Sequence, residues 1–196
     1  SDYVQDINRY SKKLFNSKSK KWENVQNETE QINFELTGTD IIAKLVLNSK
    51  GIKKREIFPF GLYYKNEKYL VEKNKLNKTE KPLLKFRAFT QGSKAVQFIN
   101  AIEEYQNIEN FRKKIDFKKR NELWLGNGRK LGEKLFLIIE KGKVISYGFY
   151  ELFTQIQTMS KISKLKIDLP LSTSDLTNEL QLALLRGDFE TLPLPK

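Results

Sequence analysis

At 196 residues, 39% of them apolar and 12% aromatic, the chain is long enough for one good core or two small domains, and its composition is not that of a disordered protein. Thirty-six Lys and Arg against 24 Asp and Glu leave a formal charge of +12, a field that draws polyanions such as nucleic acid. The absence of Cys and His excludes disulfides, thiolate zinc sites, Cys-His and Ser-His-Asp catalysis and an imidazole base, leaving Asp, Glu, Tyr, Lys, Ser or an oxygen-ligated ion such as magnesium for any chemistry.

Residues 2–30 read as one or two helices, with Val4, Ile7, Leu14 and Phe15 as an apolar stripe continued by Trp22 and Val25. Six basic residues, Arg9, Lys12, Lys13, Lys18, Lys20 and Lys21, occur here without an acid between them. Such a run is either a solvated face or, with Tyr10, Phe15 and Trp22 interleaved, a surface whose cations hold phosphates while its rings stack on bases. Ile32, Phe34 and Leu36 then predict a short strand leading into a Thr-Gly-Thr turn. Thr39 is placed to cap a helix, Asp40 puts negative charge in its first turn, and Ile41, Ile42, Leu45, Val46 and Ile52 recur at helical spacing. Lys50, Lys53, Lys54 and Arg55 gather at its far end, where an anionic partner could dock.

A β-rich section follows. Residues 58–64 and 69–71 predict a hairpin about Asn66-Glu67, a Lys- and Asn-rich loop runs over 73–81 to Pro82, and Leu84, Phe86, Ala88 and Phe89 suggest a third strand. Gln91-Gly92-Ser93 opens a helix with Ala95, Val96, Phe98, Ile99, Ile102 and Tyr105 on one face. From 109 to 121 a second basic cluster, Arg112, Lys113, Lys114, Lys118, Lys119 and Arg120, reads as a linker that is either a nucleic-acid contact or a soluble connector. Beyond Glu122, Gly126 to Gly132 reads as a flexible loop. It lacks the Gly-Lys-Ser/Thr ending of a phosphate-binding loop, so nucleotide binding there is rejected. Leu135–Ile139 and Val144–Tyr150 predict a hairpin about Lys141-Gly142. Ser172 to Asp175 predict the start of a last helix carrying Leu176, Leu180, Leu184 and Leu185 and ending at Gly187.

The segment Leu36-Thr-Gly-Thr-Asp-Ile-Ile-Ala-Lys-Leu-Val-Leu, ending in Ile52-Lys53-Lys54, resembles the second half of a GIY-YIG nuclease domain of the UvrC type. Tyr3-Val4, Ile7-Asn8-Arg9 and Leu14-Phe15 are similar to that family's second tyrosine motif and arginine helix. Phe60-Gly-Leu-Tyr63, Lys81-Pro-Leu83 and Phe136 to Phe149 resemble the region that follows the GIY-YIG domain in bacterial proteins joining it to a DnaQ-like exonuclease. The resemblance implies catalysis by a tyrosine from each half of the family's signature, an arginine and a metal-binding glutamate. The matching positions here are Tyr3, Arg9 and Asn48, and the neutral Asn48 is a poor anchor for magnesium. The first tyrosine motif has no counterpart, nor does the cysteine cluster common in relatives of the C-terminal region.

The expectation is an α+β protein: a GIY-YIG-like remnant (1–57), a hairpin-plus-helix module (58–108), a basic linker (109–121) and a C-terminal α+β unit (122–196). Its leading function is DNA or other polyanion binding within a nuclease or repair protein, without a cofactor and without hydrolysis of its own. The nucleic-acid contacts are Arg9, Lys12, Lys13, Lys18, Lys20, Lys21, Lys53, Lys54, Arg55, Arg112, Lys113, Lys114, Lys118, Lys119 and Arg120. One alternative is a magnesium-dependent endonuclease using Asp40 and Glu35. Another is an interaction scaffold that docks a protein through the C-terminal helix. No apolar run reaches bilayer length and no signal peptide is visible, so the expected setting is cytoplasmic, with no membrane partner. A first residue other than Met fits an excised piece of a longer protein.

Overall fold

The computed structural model describes residues 6–52, 56–74, 80–170 and 176–196, with the side chain of Lys21 excepted. The class is α+β, as the sequence predicts, with helices packed against two antiparallel sheets. Helices α1 (Ile7–Asn16) and α2 (Lys20–Glu28) pair as a hairpin. Asp6 caps α1 through the Arg9 N–H at 3.0 Å, Tyr10 meets Trp22 edge-on at 5.6 Å, and the Gln26 amide donates to the Leu14 carbonyl. No strand forms over Ile32, Phe34 and Leu36. Phe34 is 66% exposed, since alternation alone cannot hold a strand that lacks a neighbour to complete its ladder. Helix α3 (Asp40–Ser49) begins as expected: the Thr39 hydroxyl accepts from the Ile42 N–H at 3.3 Å.

The first sheet contains β1 (Phe60–Lys65), β2 (Lys68–Lys73) and β3 (Leu84–Phe86) in the order β2-β1-β3. Asn66 and Glu67 both take positive φ, 47° and 60°, the mirror-image turn whose twist suits a two-residue hairpin. Helices α4 (Phe89–Asn100), α5 (Glu103–Gln106) and α6 (Ile108–Ile115) follow. Together with the sheet they bury Leu62, Tyr69, Leu84, Phe86, Ile99 and Phe111, and the Tyr69 hydroxyl donates to the Tyr105 carbonyl at 2.6 Å.

The second sheet holds β4 (Glu122–Asn127), β5 (Lys134–Glu140), β6 (Lys143–Tyr150), β7 (Ile167–Asp168) and β8 (Glu190–Pro193), in the order β7-β6-β5-β4-β8. Ile138 pairs with Ser146 and Ile139 with Val144, so Ile145 is an extra residue, a bulge that re-phases β6. Val144 and Tyr147, three positions apart, consequently face the same core with Leu135, Leu137 and Trp124. Helix α3 and helix α8 (Thr177–Arg186) cover that face through Ile42, Leu45, Leu180 and Ala183. The other face, Leu123, Phe136, Ile138 and Tyr150, is closed by Ile156 and by Ile162 of the short helix α7 (Met159–Ile162).

The boundaries expected at 57, 108 and 121 do not separate the cores, because α3 packs into the cluster built on the second sheet. Nor is the stretch from 109 to 121 a free connector. Phe111 and Ile115 belong to one core and Phe117 to the other. Helix α8 joins them further: Leu185 belongs to the first sheet's cluster, and the Asn178 amide brackets the Lys85 backbone, accepting its N–H at 2.8 Å and donating to its carbonyl at 3.1 Å. The apolar face of α8 is turned inward at Leu180, Ala183, Leu184 and Leu185. The start expected for this helix at Ser172 to Asp175 lies outside the described residues. No helix among the described residues is long and apolar enough to cross a membrane.

Candidate nucleic-acid interface

Helix α6 is short and two-sided. Asn107 caps it by accepting from the Glu109 and Asn110 N–H groups at 2.9 and 3.3 Å. Burying Phe111 and Ile115 turns Arg112, Lys113 and Lys114 outward in the last turn, where the helix dipole favours cations. The chain then dives back at Phe117, whose ring meets Trp124 edge-on at 5.4 Å, and this leaves Lys118 and Lys119 exposed.

Arg120 differs from its neighbours. Its guanidinium holds both Glu122 oxygens at 3.0 Å, donates to the Asp116 and Lys114 carbonyls at 2.9 and 2.6 Å, and lies 5.1 Å from the Phe117 ring centre. Its donors close the loop instead of reaching solvent, which makes it a clamp among the expected phosphate ligands.

The β5–β6 turn completes the arrangement. Lys141 and Gly142 take φ of 48° and 74°, the Gly142 N–H donates to the Arg120 carbonyl at 3.0 Å, and the Lys141 N–H donates to the Asn121 side chain at 2.9 Å. Docking the turn on residues 117–121 places Lys141 and Lys143 beside Arg112 and Lys118 around a cleft of about 640 Å³, where Asp116 is the one lining carboxylate among the described residues. Asp116 also lines an adjoining hollow of about 540 Å³ with Lys113 and Lys119. Lys141 and Lys143 were not among the expected contacts. The only signal for them is the Lys-Gly-Lys turn, and its significance depends on where the turn docks.

The other expected contacts are placed differently. Arg9, Lys12, Lys13, Lys18 and Lys20 are exposed on the α1–α2 hairpin, with the Lys13 ammonium 5.6 Å from the Trp22 ring centre, but none lines the cleft or the adjoining hollow. Tyr3, Lys53, Lys54 and Arg55 lie outside the described residues, and nothing is described of the side chain of Lys21. Asn48 sits half-buried near the end of α3, and Arg9 is exposed on α1. Glu35 and Asp40 border one hollow of about 660 Å³, but Arg129 and Arg186 border it too, and Glu35 pairs with Lys50 at 3.3 Å. With a neutral amide at 48, Glu35 paired to Lys50 and two guanidinium groups lining the same hollow as Asp40, these donors do not fit a divalent ion, and no group of three or more acids that could hold a metal ion occurs among the described residues.

The loop read as flexible is pinned. The Arg129 backbone N–H and Nε both donate to Glu133 Oε2 at 2.9 Å, and Nη2 donates to Oε1 at 2.6 Å. Those bonds outweigh desolvation and hold the Glu133 carboxyl at about 2. Arg129 also stacks on Phe149, its guanidinium carbon 4.0 Å from the ring centre.

A second pocket, of about 520 Å³, opens between α3, β3, α4 and α8. At one wall Lys44 bridges Glu56 at 2.9 Å and Glu179 at 3.1 Å, and Arg87 also bonds Glu56. Burial opposes ionisation of Glu56, but hydrogen bonds from Arg87, Lys44 and Glu179 prevail and hold it at about 2. Burial pushes Glu179 the other way, above the usual range.

No protein-family model matches the chain, and neither do any curated protein and any solved structure.

Proposed function

We propose that the chain is a nucleic-acid-binding module, with DNA as the expected polyanion, in the setting of a GIY-YIG- or UvrC-like nuclease or repair protein, and that it does not cleave phosphodiesters by itself. The observation that carries this reading is the cleft: Arg112 and Lys118 are joined by Lys141 and Lys143 from a hairpin more than twenty positions away, against one lining carboxylate among the described residues. A merely solvated charge run needs no such convergence, whereas a groove of one sign concentrates field on a passing phosphate backbone. Asn48, and the two guanidinium groups that share a hollow with Asp40, support the absence of a metal-dependent step.

The test is fluorescence anisotropy with a labelled duplex at several salt concentrations. Six cations of the cleft and hollow, each meeting one phosphate, give a log–log slope of about −5. The triple variant Lys118→Glu/Lys141→Glu/Lys143→Glu should bind at least about tenfold more weakly at low salt. Binding that ignores salt, or none at all, overturns the reading. Magnesium-dependent nicking lost in Asp40→Ala would overturn its silent part.

A further inference from the structure

We propose that the pocket between α3, β3, α4 and α8 binds a nucleotide, its base against Phe58 and Phe98 and its phosphate at the mouth on Lys85 and Lys94. The site is independent of the cleft. On α8, Thr177, Leu180 and Gln181 face the cleft while Glu179, Leu182 and Arg186 face the pocket, and at 100° per residue these are opposite sides of one helix.

Three features fix the ligand class. Helix α4 presents Gln91, Lys94, Ala95 and Phe98 to the pocket at the i, i+3, i+4, i+7 spacing of one face, and Phe98 remains 44% exposed. An apolar wall of Phe58, Ala95, Phe98 and Leu182 with an uncovered ring is a surface for a flat body, and about 520 Å³ lies within the usual range of small-ligand sites.

The polar groups are sorted by sign. Lys44 and Arg87 are engaged by Glu56, and Arg186 by Asp188, while Lys85 and Lys94 make no ion pair among the described residues. An anion therefore has two ammonium groups to meet at Lys85 and Lys94, whereas the cations beside Glu56 and Glu179 are already engaged.

That wall and the Gln91 amide also discriminate between apolar bodies. A hydrocarbon chain laid against them would desolvate a carboxyl pair and an amide without replacing their water. A heteroaromatic base offers ring nitrogens and exocyclic groups that can replace that water. Inorganic phosphate alone would leave the ring wall wet. An apolar, hydrogen-bonding ring tethered to an anion is a nucleotide, either free or at the end of a strand.

The test is isothermal titration calorimetry of the full chain with deoxyadenosine 5′-monophosphate, deoxyadenosine and inorganic phosphate in turn. The nucleotide should bind with a Kd below about 1 mM, and nucleoside and phosphate at least about tenfold more weakly. Phe98→Ala and Lys94→Glu, both at exposed positions, should each weaken the nucleotide at least about tenfold with unchanged melting temperature. Lys141→Glu/Lys143→Glu should leave nucleotide binding intact while weakening duplex binding, which separates this site from the cleft. A 5′-phosphorylated oligodeoxyadenylate that displaces the nucleotide identifies a strand end, and one that does not identifies a free nucleotide. No nucleotide binding up to about 1 mM, equal binding of phosphate alone, or indifference to both pocket variants overturns the proposal.

Discussion

A side chain on Gly142 would place its Cβ 2.0 Å from the carbonyl oxygen of Phe117. The clash is with backbone, so no rotamer relieves it, and the φ of 74° disfavours any L side chain as well. Gly142→Ala must therefore lift the β5–β6 turn off residues 117–121 or distort both. Loss of the docked hydrogen bonds together with strain predicts destabilisation by about 2 kcal/mol or more in urea unfolding. The same change moves Lys141 and Lys143 away from Arg112 and Lys118. Duplex affinity should fall although no charge has been removed, and the salt slope should become shallower.

Arg120 and Lys118 make opposite predictions from the same basic cluster. Arg120 joins Glu122, two backbone carbonyls and the Phe117 ring, so Arg120→Ala leaves partly buried acceptors unpaired. A loss of about 2–3 kcal/mol in unfolding free energy is expected. Lys118 is exposed, and Lys118→Ala should change stability by no more than about 0.5 kcal/mol. Its mark should appear in binding instead, as a uniform weakening across sequences and a salt slope reduced by about 1. Parallel unfolding and anisotropy titrations of the two variants check the division.

The contrast shows which parts of the molecule were legible in the sequence. Local rules carried the Thr39 cap, the Asn66-Glu67 hairpin, the pairing of Leu135–Ile139 with Val144–Tyr150 and the stop at Gly187, because each depends on residues within a few positions. The strand expected at Ile32, Phe34 and Leu36 failed because a strand is completed by its neighbour, which no local pattern reveals. Phe111, Ile115 and Phe117 were hidden among cations, where a narrow apolar face looks like a soluble connector. The sites were least legible of all. Lys44 and Glu179 are 135 positions apart, and the Lys141-Gly142 turn acquires meaning only from the carbonyl it sits on.

Acid should loosen the molecule in a definite window. Glu133 is held at about 2, chiefly by Arg129, and Glu56 at about 2 by Arg87, Lys44 and Glu179 acting against burial, each from an ordinary value of 4.5. A carboxyl whose folded value is depressed contributes stability that is complete above its unfolded value and is lost as pH falls through the folded one. Both contributions are therefore present above about 4.5 and decline toward about 2. Glu179, raised by burial, has the opposite sign: its contribution is present below its unfolded value and is lost as pH rises through its folded value. Melting temperature measured from pH 6 downward should fall most steeply below about pH 4.5, and Glu133→Gln should flatten that fall. A variant that kept the wild-type acid profile would show that the Arg129–Glu133 pair does not hold the loop.

Ser146 offers a change in the stabilising direction. It is fully buried in β6 just past the bulge at Ile145, and its hydroxyl has no hydrogen-bond partner among the described residues. Removing a buried hydroxyl that is unsatisfied in the folded state but hydrated in the unfolded one relieves a desolvation cost of about 1–3 kcal/mol, offset by the small void left by one oxygen atom. Ser146→Ala should raise the unfolding free energy by up to about 1 kcal/mol. Ser146→Val fills the same space with a branched group against Ile138's pairing position and should destabilise by about 1–3 kcal/mol through overpacking. Urea unfolding of the pair separates the two terms. If alanine proved as costly as valine, the hydroxyl would have to be satisfied, most simply by a buried water bound at the bulge.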